Sequence, residues 1–219
     1  MSFPAYAAIQ HDPAQLRAGY RRSIVYASVA LFSLMLGLAA LARPLFLLVF
    51  TAKWAASIPY FRILCLSGML YHLHALNLSV LKALGRSDLY LRLSILKVAL
   101  ILGGLMLSVR FGMWGIVWGQ VLVSWLGLTI SSLYAGRVIQ YPLHRQIRDV
   151  QANFWLSAGL AGLVFAASHA LQDLPLAVQT AVLALGYAGG YLGLAWLFRL
   201  DAPAALFRQL QLQIRRRSK

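Results

Sequence analysis

The sequence predicts an all-α integral membrane protein with six transmembrane helices, on three observations. The 219 residues are 61% hydrophobic and their mean hydropathy is +0.72; a soluble domain is closer to 45–50% apolar, on the order of one residue in two. Six apolar stretches approach the roughly 20 residues that a helix needs to cross the hydrocarbon of a bilayer. None shows the strict alternation of a barrel strand. Charge is lopsided, with 20 Lys+Arg against 5 Asp+Glu, and the cations gather in alternate loops.

Taken in order, residues 1–22 form a lead-in that opens on Phe3-Pro4 and carries the basic cluster Arg17, Arg21 and Arg22. Residues 13–22 suit a short amphipathic helix. The six spans fall at 23–50, 59–84, 93–109, 113–134, 154–171 and 176–198. Arg21-Arg22, an apolar run and "ALA" at 40–42 imitate a cleavable leader, but the run continues through "RPLFLLVF" and predicts a retained helix. "GRSDLYLR", 85–92, reads as a compact loop in which Gly85 ends the second span and Ser87 or Asp88 caps the third. The tail "DAPAALFRQLQLQIRRRSK", 201–219, reads as a basic amphipathic helix suited to an anionic leaflet. The organisation expected is a lead-in (1–22), a four-helix core (23–150), two further transmembrane helices (151–200) and the basic tail (201–219).

Cations set the orientation. They cluster before the first span, between the second and third (Lys82, Arg86, Arg92), between the fourth and fifth (Arg137, Arg145, Arg148) and after the sixth. The opposite loops hold only Arg43, Lys53, Arg62 and Arg110. Both termini are therefore expected in the cytoplasm of a bacterial cell, with the chain in the inner membrane. In so apolar a chain, a net charge of +15 points to anionic lipid and not to nucleic acid.

Nothing in the pattern suggests an enzyme, a metal or a cofactor. All five acids are Asp, at helix ends or in loops, and no nucleophile motif frames the Ser, His and Asp residues. Cys65, alone in an apolar run, reads as a small core residue. The candidate site therefore rests on polar residues inside spans, where a central charge costs about 2.5–3.5 kcal/mol. The second span is richest, with Arg62, His72, His74, Asn77, Ser79 and Lys82. At about 100° per residue His74 and Asn77 share one face, while His72 and Ser79 share nearly the opposite one. One pair suits an aqueous cavity and the other a bond to a neighbouring helix, and both can equally be interhelical bonds. Lys97 is placed about a turn inside the third span with no acid nearby in sequence. It can snorkel to the interface or attract an anionic headgroup. Arg43, Lys53-Trp54 and Arg62 suit the outer interface. The residues expected to bind substrate are His74, Asn77, Lys97 and Arg62. Gly115 and Gly119 mark a packing face in the fourth span, and Gly186, Gly189, Gly190 and Gly193 another in the sixth.

"FPAYAAIQHDPAQLRAGYRRS", "ARPLFLLVFTAKWAASIPYFRILCLSGML" and "LNLSVLKALGRSDLYLRLSILK", in that order, resemble oligosaccharide flippases of the polysaccharide transporter family, in the multidrug/oligosaccharidyl-lipid/polysaccharide exporter superfamily. The Phe3-Pro4 start, Lys53-Trp54 after an apolar helix and the Leu84–Asp88 loop carry the likeness, and "FGMWGIVWGQVL" fits the helix that follows. Residues 2–150 resemble the family well; the last two spans fit by hydropathy and position. The resemblance implies the C-terminal lobe portion of a two-lobed fold, with this chain supplying its ninth to fourteenth helices. It implies an N-terminally truncated flippase moving undecaprenyl-diphosphate-linked oligosaccharide across the membrane, its diphosphate held by cationic cavity residues. A partner N-terminal lobe would then be supplied in trans. A stand-alone membrane scaffold or inactive remnant in a polysaccharide synthesis cluster is the alternative.

Overall fold

The computed structural model describes residue 6 and residues 12–171 and 174–197. The expected tail helix lies outside the described residues. Within them the chain is helical and contains no strand. Five helical segments are long and apolar enough to cross a membrane. The longest, Ser87–Val138, is folded at Gly112 (φ +66°) into an antiparallel hairpin, which makes six long helices among the described residues.

The first, α1 (Pro13–Ala40), begins on Asp12. The Asp12 carboxylate accepts the backbone N–H groups of Ala14 (2.9 Å) and Gln15 (3.0 Å), and Pro13 sits where a missing N–H costs nothing. These bonds hold the Asp12 carboxyl below its ordinary range. The amphipathic stretch expected at 13–22 is thus the first part of a single long helix. That helix stops at Ala40, ten residues short of the expected end of the span. Pro44 cannot supply an N–H to the Ala40 carbonyl, and a separate short helix, α2 (Ala42–Val49), follows.

Thr51, at φ +67°, then turns the chain into a 3-10 helix, Ala52–Ser57. The long helix α3 (Ile58–Ala83) follows, and then α4 (Ser87–Ser108). Gly85 (φ +69°) ends α3: its own N–H reaches the Lys82 carbonyl and the Arg86 N–H reaches that of Leu81, both at 3.1 Å. This is the paired closing bond pattern that a left-handed residue permits. The expected cap on α4 is different. Arg86 takes the capping position without a side-chain bond, and Ser87 and Asp88 lie in the first turn.

After a 3-10 turn at Val109–Phe111, α5 (Gly112–Val138) packs back against α4. A methyl on Gly104 would meet Val123 at 2.6 Å, and one on Gly119 would meet Ser108 at 2.9 Å. At Gly115 it would meet the Ser108 carbonyl oxygen at 2.4 Å, as the expected packing face requires. The last helices are α6 (Leu143–Ala170) and α7 (Leu176–Leu197). Here the glycine pattern misleads. Only Gly190 lies close to a neighbour, Leu160 at 3.1 Å; Gly186, Gly189 and Gly193 have open space beside them.

The long helices neighbour one another in the order α7, α6, α1, α3, α5, α4. Contacts such as Tyr20–Asn77, Ser67–Ser124, Ser28–Asn153 and Lys97–Tyr71 show successive long helices alternating in direction. The expected basic loops therefore meet at one end of the bundle. The main core lies where α1, α3 and α5 converge, around Tyr20, Ile24, Leu76, Val80, Leu81 and Ala135. Cys65 is buried, as a core residue should be.

Candidate functional site

Helix α3 runs between α1 and α5 and presents polar groups to both. Asn77 is fully buried. Its Oδ1 accepts a bond from the Tyr20 hydroxyl on α1, and its Nδ2 donates to Ser131 Oγ (3.2 Å) and Ser132 Oγ (2.8 Å) on α5. One turn earlier, His74 Nδ1 lies 3.1 Å from the Gly127 carbonyl oxygen and 2.9 Å from Ser131 Oγ. The Ser131 hydroxyl donates to the Leu128 carbonyl at 3.0 Å, so Ser131 Oγ is left to accept. Both groups around Nδ1 are then acceptors, which puts the imidazole proton on Nδ1. Nε2 is left as a buried acceptor with no partner among the described residues.

His74 also lines a cavity of about 10 Å³, enough for about one water molecule, between α3, α4 and α5. Lys97 of α4 lines the same cavity, with Leu93, Leu96 and Gly127. The Lys97 ammonium sits 4.5 Å from the centroid of the Tyr71 ring, a cation–π contact. Tyr71 itself is 58% exposed, so this contact lies at the surface of the bundle.

The depth of Lys97 differs from the sequence expectation. It was expected about a turn inside the helix, but α4 begins at Ser87. At 1.5 Å per residue Lys97 therefore lies about 15 Å from that end, near the middle of the helix. Tyr71 is likewise near the middle of α3. A Lys side chain reaches the interface from one or two turns in, not readily from three.

Arg62 stands apart. Twelve residues separate it from His74 along α3, or about 18 Å. Its Nε donates to the Ala39 carbonyl oxygen (3.2 Å), one of the carbonyls left open where α1 breaks, and its guanidinium stacks on Phe165 at 4.9 Å. The structure therefore brings His74, Asn77 and Lys97 together through Ser131 and the small cavity, and leaves Arg62 at the opposite end.

Several members of this constellation escape sequence reasoning. Tyr20 and Tyr71 carry no local signature; the Ser131-Ser132 pair inside an apolar span is the signal that could have found Ser131. At the basic end, Arg21 pairs with both carboxylate oxygens of Asp149 (2.7 and 2.9 Å), and the Tyr141 hydroxyl donates to the same carboxylate. Burial and that bond push the Tyr141 phenol up from its ordinary value. No cluster of metal-binding side chains occurs among the described residues.

These features define an all-α, multi-pass membrane protein whose central helix carries a polar network and whose hairpin holds a cation near the middle of α4. A family model described as "Polysaccharide biosynthesis protein" matches residues 1–59. The chain is 26% identical to the teichuronic acid biosynthesis protein TuaB of Bacillus subtilis over 196 residues, 85% of this chain and 40% of the relative. It is 29% identical to the lipopolysaccharide biosynthesis protein WzxC of Escherichia coli over 174 residues, 77% of this chain and 34% of the relative. An uncharacterised membrane protein in the cps region of Klebsiella pneumoniae is 27% identical over 133 residues, 60% of this chain. No solved structure matches. The chain spans at most 40% of the length of these relatives. The resemblance read from the sequence is thus borne out: the chain is similar to membrane proteins of polysaccharide biosynthesis, of the Wzx type.

Proposed function

We propose that this chain acts as the C-terminal lobe of a flippase that carries undecaprenyl-diphosphate-linked oligosaccharide across the bacterial inner membrane, with both termini cytoplasmic. The observation that carries the reading is Lys97. It is a half-buried cation near the middle of α4, with an aromatic face against it and no acidic partner among the described residues. Facing lipid, such a charge would cost about 2.5–3.5 kcal/mol. The cost falls away if that side of the α3–α4–α5 group faces a water-filled path between two lobes, where the ammonium can meet a diphosphate. Tyr71 beside it offers a flat surface to a sugar or a prenyl chain. His74 and Asn77, locked to α5, hold α3 in register beneath this surface. Arg62, at the far end, would meet the phosphate on leaving.

The test is glycan export in a strain that depends on this protein together with whatever lobe completes it. Lys97→Met should lose most export and Lys97→Arg should retain much of it, while both variants insert at wild-type levels. Unchanged export by Lys97→Met would remove Lys97 from the path. If deleting the gene leaves export intact wherever a complete flippase is present, the chain is a scaffold or remnant.

A further inference from the structure

At the basic end of the bundle three helix ends surround a cleft of about 280 Å³. The start of α1 supplies Leu16 and Arg17, the end of α3 supplies Leu84 and then Arg86, and the end of α5 supplies Val138 and Gln140. The leucines and the valine make an apolar wall; the two arginines and the glutamine make a polar one.

Among the described residues, the charge in the cleft is not neutralised. Arg17 is held in place, its Nε donating to the Ile139 carbonyl (3.2 Å) and its Nη2 to Gln140 Oε1 (2.9 Å), bonds to neutral groups that leave its charge uncompensated. Arg86 meets only Asp88, at 3.4 Å, and both side chains are more than half exposed, so the pair contributes little. The nearby carboxylate of Asp12 is already engaged by its own helix. The carbonyls that end α3 and α5 are closed by the backbone bonds of Arg86 to Leu81 and of Tyr141 to Gly136. Two cations thus face a half-apolar cleft whose described lining contains no free acceptor of opposite charge.

Gln140 adds an independent mark. It takes the left-handed conformation (φ +53°) that closes α5, where glycine is the usual occupant, as Gly85 is at the end of α3. A side chain there costs about 1–2 kcal/mol. Such strain persists where the surroundings fix it, and it concentrates at ligand sites. Here the strained residue places an amide on the polar wall and Arg17 pins it.

From these features we propose that the cleft binds a phosphate-bearing anion, occupied in the membrane by the headgroup of an anionic phospholipid. The phosphate meets Arg17, Arg86 and the Gln140 amide, and the glycerol and first acyl carbons lie against Leu16, Leu84 and Val138. Cations paired with an apolar wall at a helix end are the arrangement by which basic pockets between transmembrane helices take anionic headgroups. The site stands apart from the Lys97 path, at another depth of the bundle, and does not depend on a transport role.

The test uses the purified full chain in neutral detergent, titrated with phosphatidylglycerol and with phosphatidylcholine, and counts bound lipid by native mass spectrometry. Phosphatidylglycerol should bind saturably and phosphatidylcholine should not. Arg86→Gln should weaken binding about tenfold, the loss of one charge-assisted contact. Arg110→Gln, at the opposite end, should leave it unchanged. Gln140→Gly should weaken lipid binding while raising or preserving the melting temperature, which separates the site from the fold. Displacement of the lipid by millimolar inorganic phosphate would show that the phosphate alone is read; resistance to displacement would show that the apolar wall selects lipid. Either result upholds the site. Equal affinity of wild type and Arg86→Gln, equal loss in Arg110→Gln, or equal binding of the two lipids would overturn it.

Discussion

Replacing Asn77 with Ala should be among the most damaging single changes in this chain. Asn77 makes three bonds, one to α1 and two to α5, and is fully buried. Hydrogen bonds between helices in a membrane average about 0.6 kcal/mol, so three are worth about 2 kcal/mol. The change also strands the Tyr20 hydroxyl, which is completely buried, and an orphaned buried donor costs about 1–3 kcal/mol more. The expected loss is therefore about 3–5 kcal/mol. Tyr20→Phe removes one bond and should cost about 1 kcal/mol. Made together, the two changes should cost less than their sum by about 1 kcal/mol, because the stranded hydroxyl is gone. Reversible unfolding in mixed micelles, or steric trapping in bicelles, measures all three variants. A loss under about 0.5 kcal/mol for Asn77→Ala, or strict additivity of the pair, would show that the network does not hold the three helices together.

Other changes follow from local geometry. Gly37→Ala places a methyl 2.6 Å from the Tyr187 ring, which is itself held by a bond from its hydroxyl to the Ser33 carbonyl; unfolding should show a loss of about 1–3 kcal/mol. Gly103→Ala meets nothing within 4 Å, and the same assay should find it within about 0.5 kcal/mol of wild type. Gly85→Ala should cost about 1–2 kcal/mol through its left-handed backbone alone. At the basic end Asp149→Ala should destabilise more than Arg21→Ala. Asp149 is mostly buried and accepts from both Arg21 and Tyr141, whereas the Arg21 side chain is 60% exposed and its loss leaves Tyr141 satisfied. Equal effects of the two in thermal unfolding would contradict that ordering.

Hydropathy and loop charge made the helices legible because lipid solvates each span separately: a run is apolar whether or not its neighbours are known. Where a span ends is a matter of single backbone bonds, and there the reading was less exact. The break after Ala40 was written in Pro44, four residues on, but the surrounding apolar run masked it. Gly85 was read correctly because a left-handed close has a residue signature. The equivalent close at Gln140 was invisible because the residue there is the wrong one for the conformation. The facing of His74 and Asn77 followed from helical periodicity, while their partners at Tyr20 and Ser131 are set by packing over 50 residues away.

Lys97 shows how a small boundary error becomes a functional one. Starting the helix at residue 93 puts Lys97 near the interface, where snorkelling removes most of its cost. Starting it at Ser87 puts the same side chain near mid-depth. The first turn and a half of α4 is polar enough to look like loop, yet Asp88, Tyr90 and Arg92 are all helical. Of the other cations near it in the chain, Lys82 lies over Tyr90 at the end of α3, and Arg86 meets Asp88 near solvent. Lys97 has no acid beside it among the described residues, and it stands over an exposed Tyr71 near a His74 nitrogen that has no partner among them. A charge held midway along a helix with an aromatic face as its partner is stabilised further wherever water or an anion reaches it. In the proposed flippase reading, the side of the bundle formed by α3, α4 and α5 faces the path that would supply them.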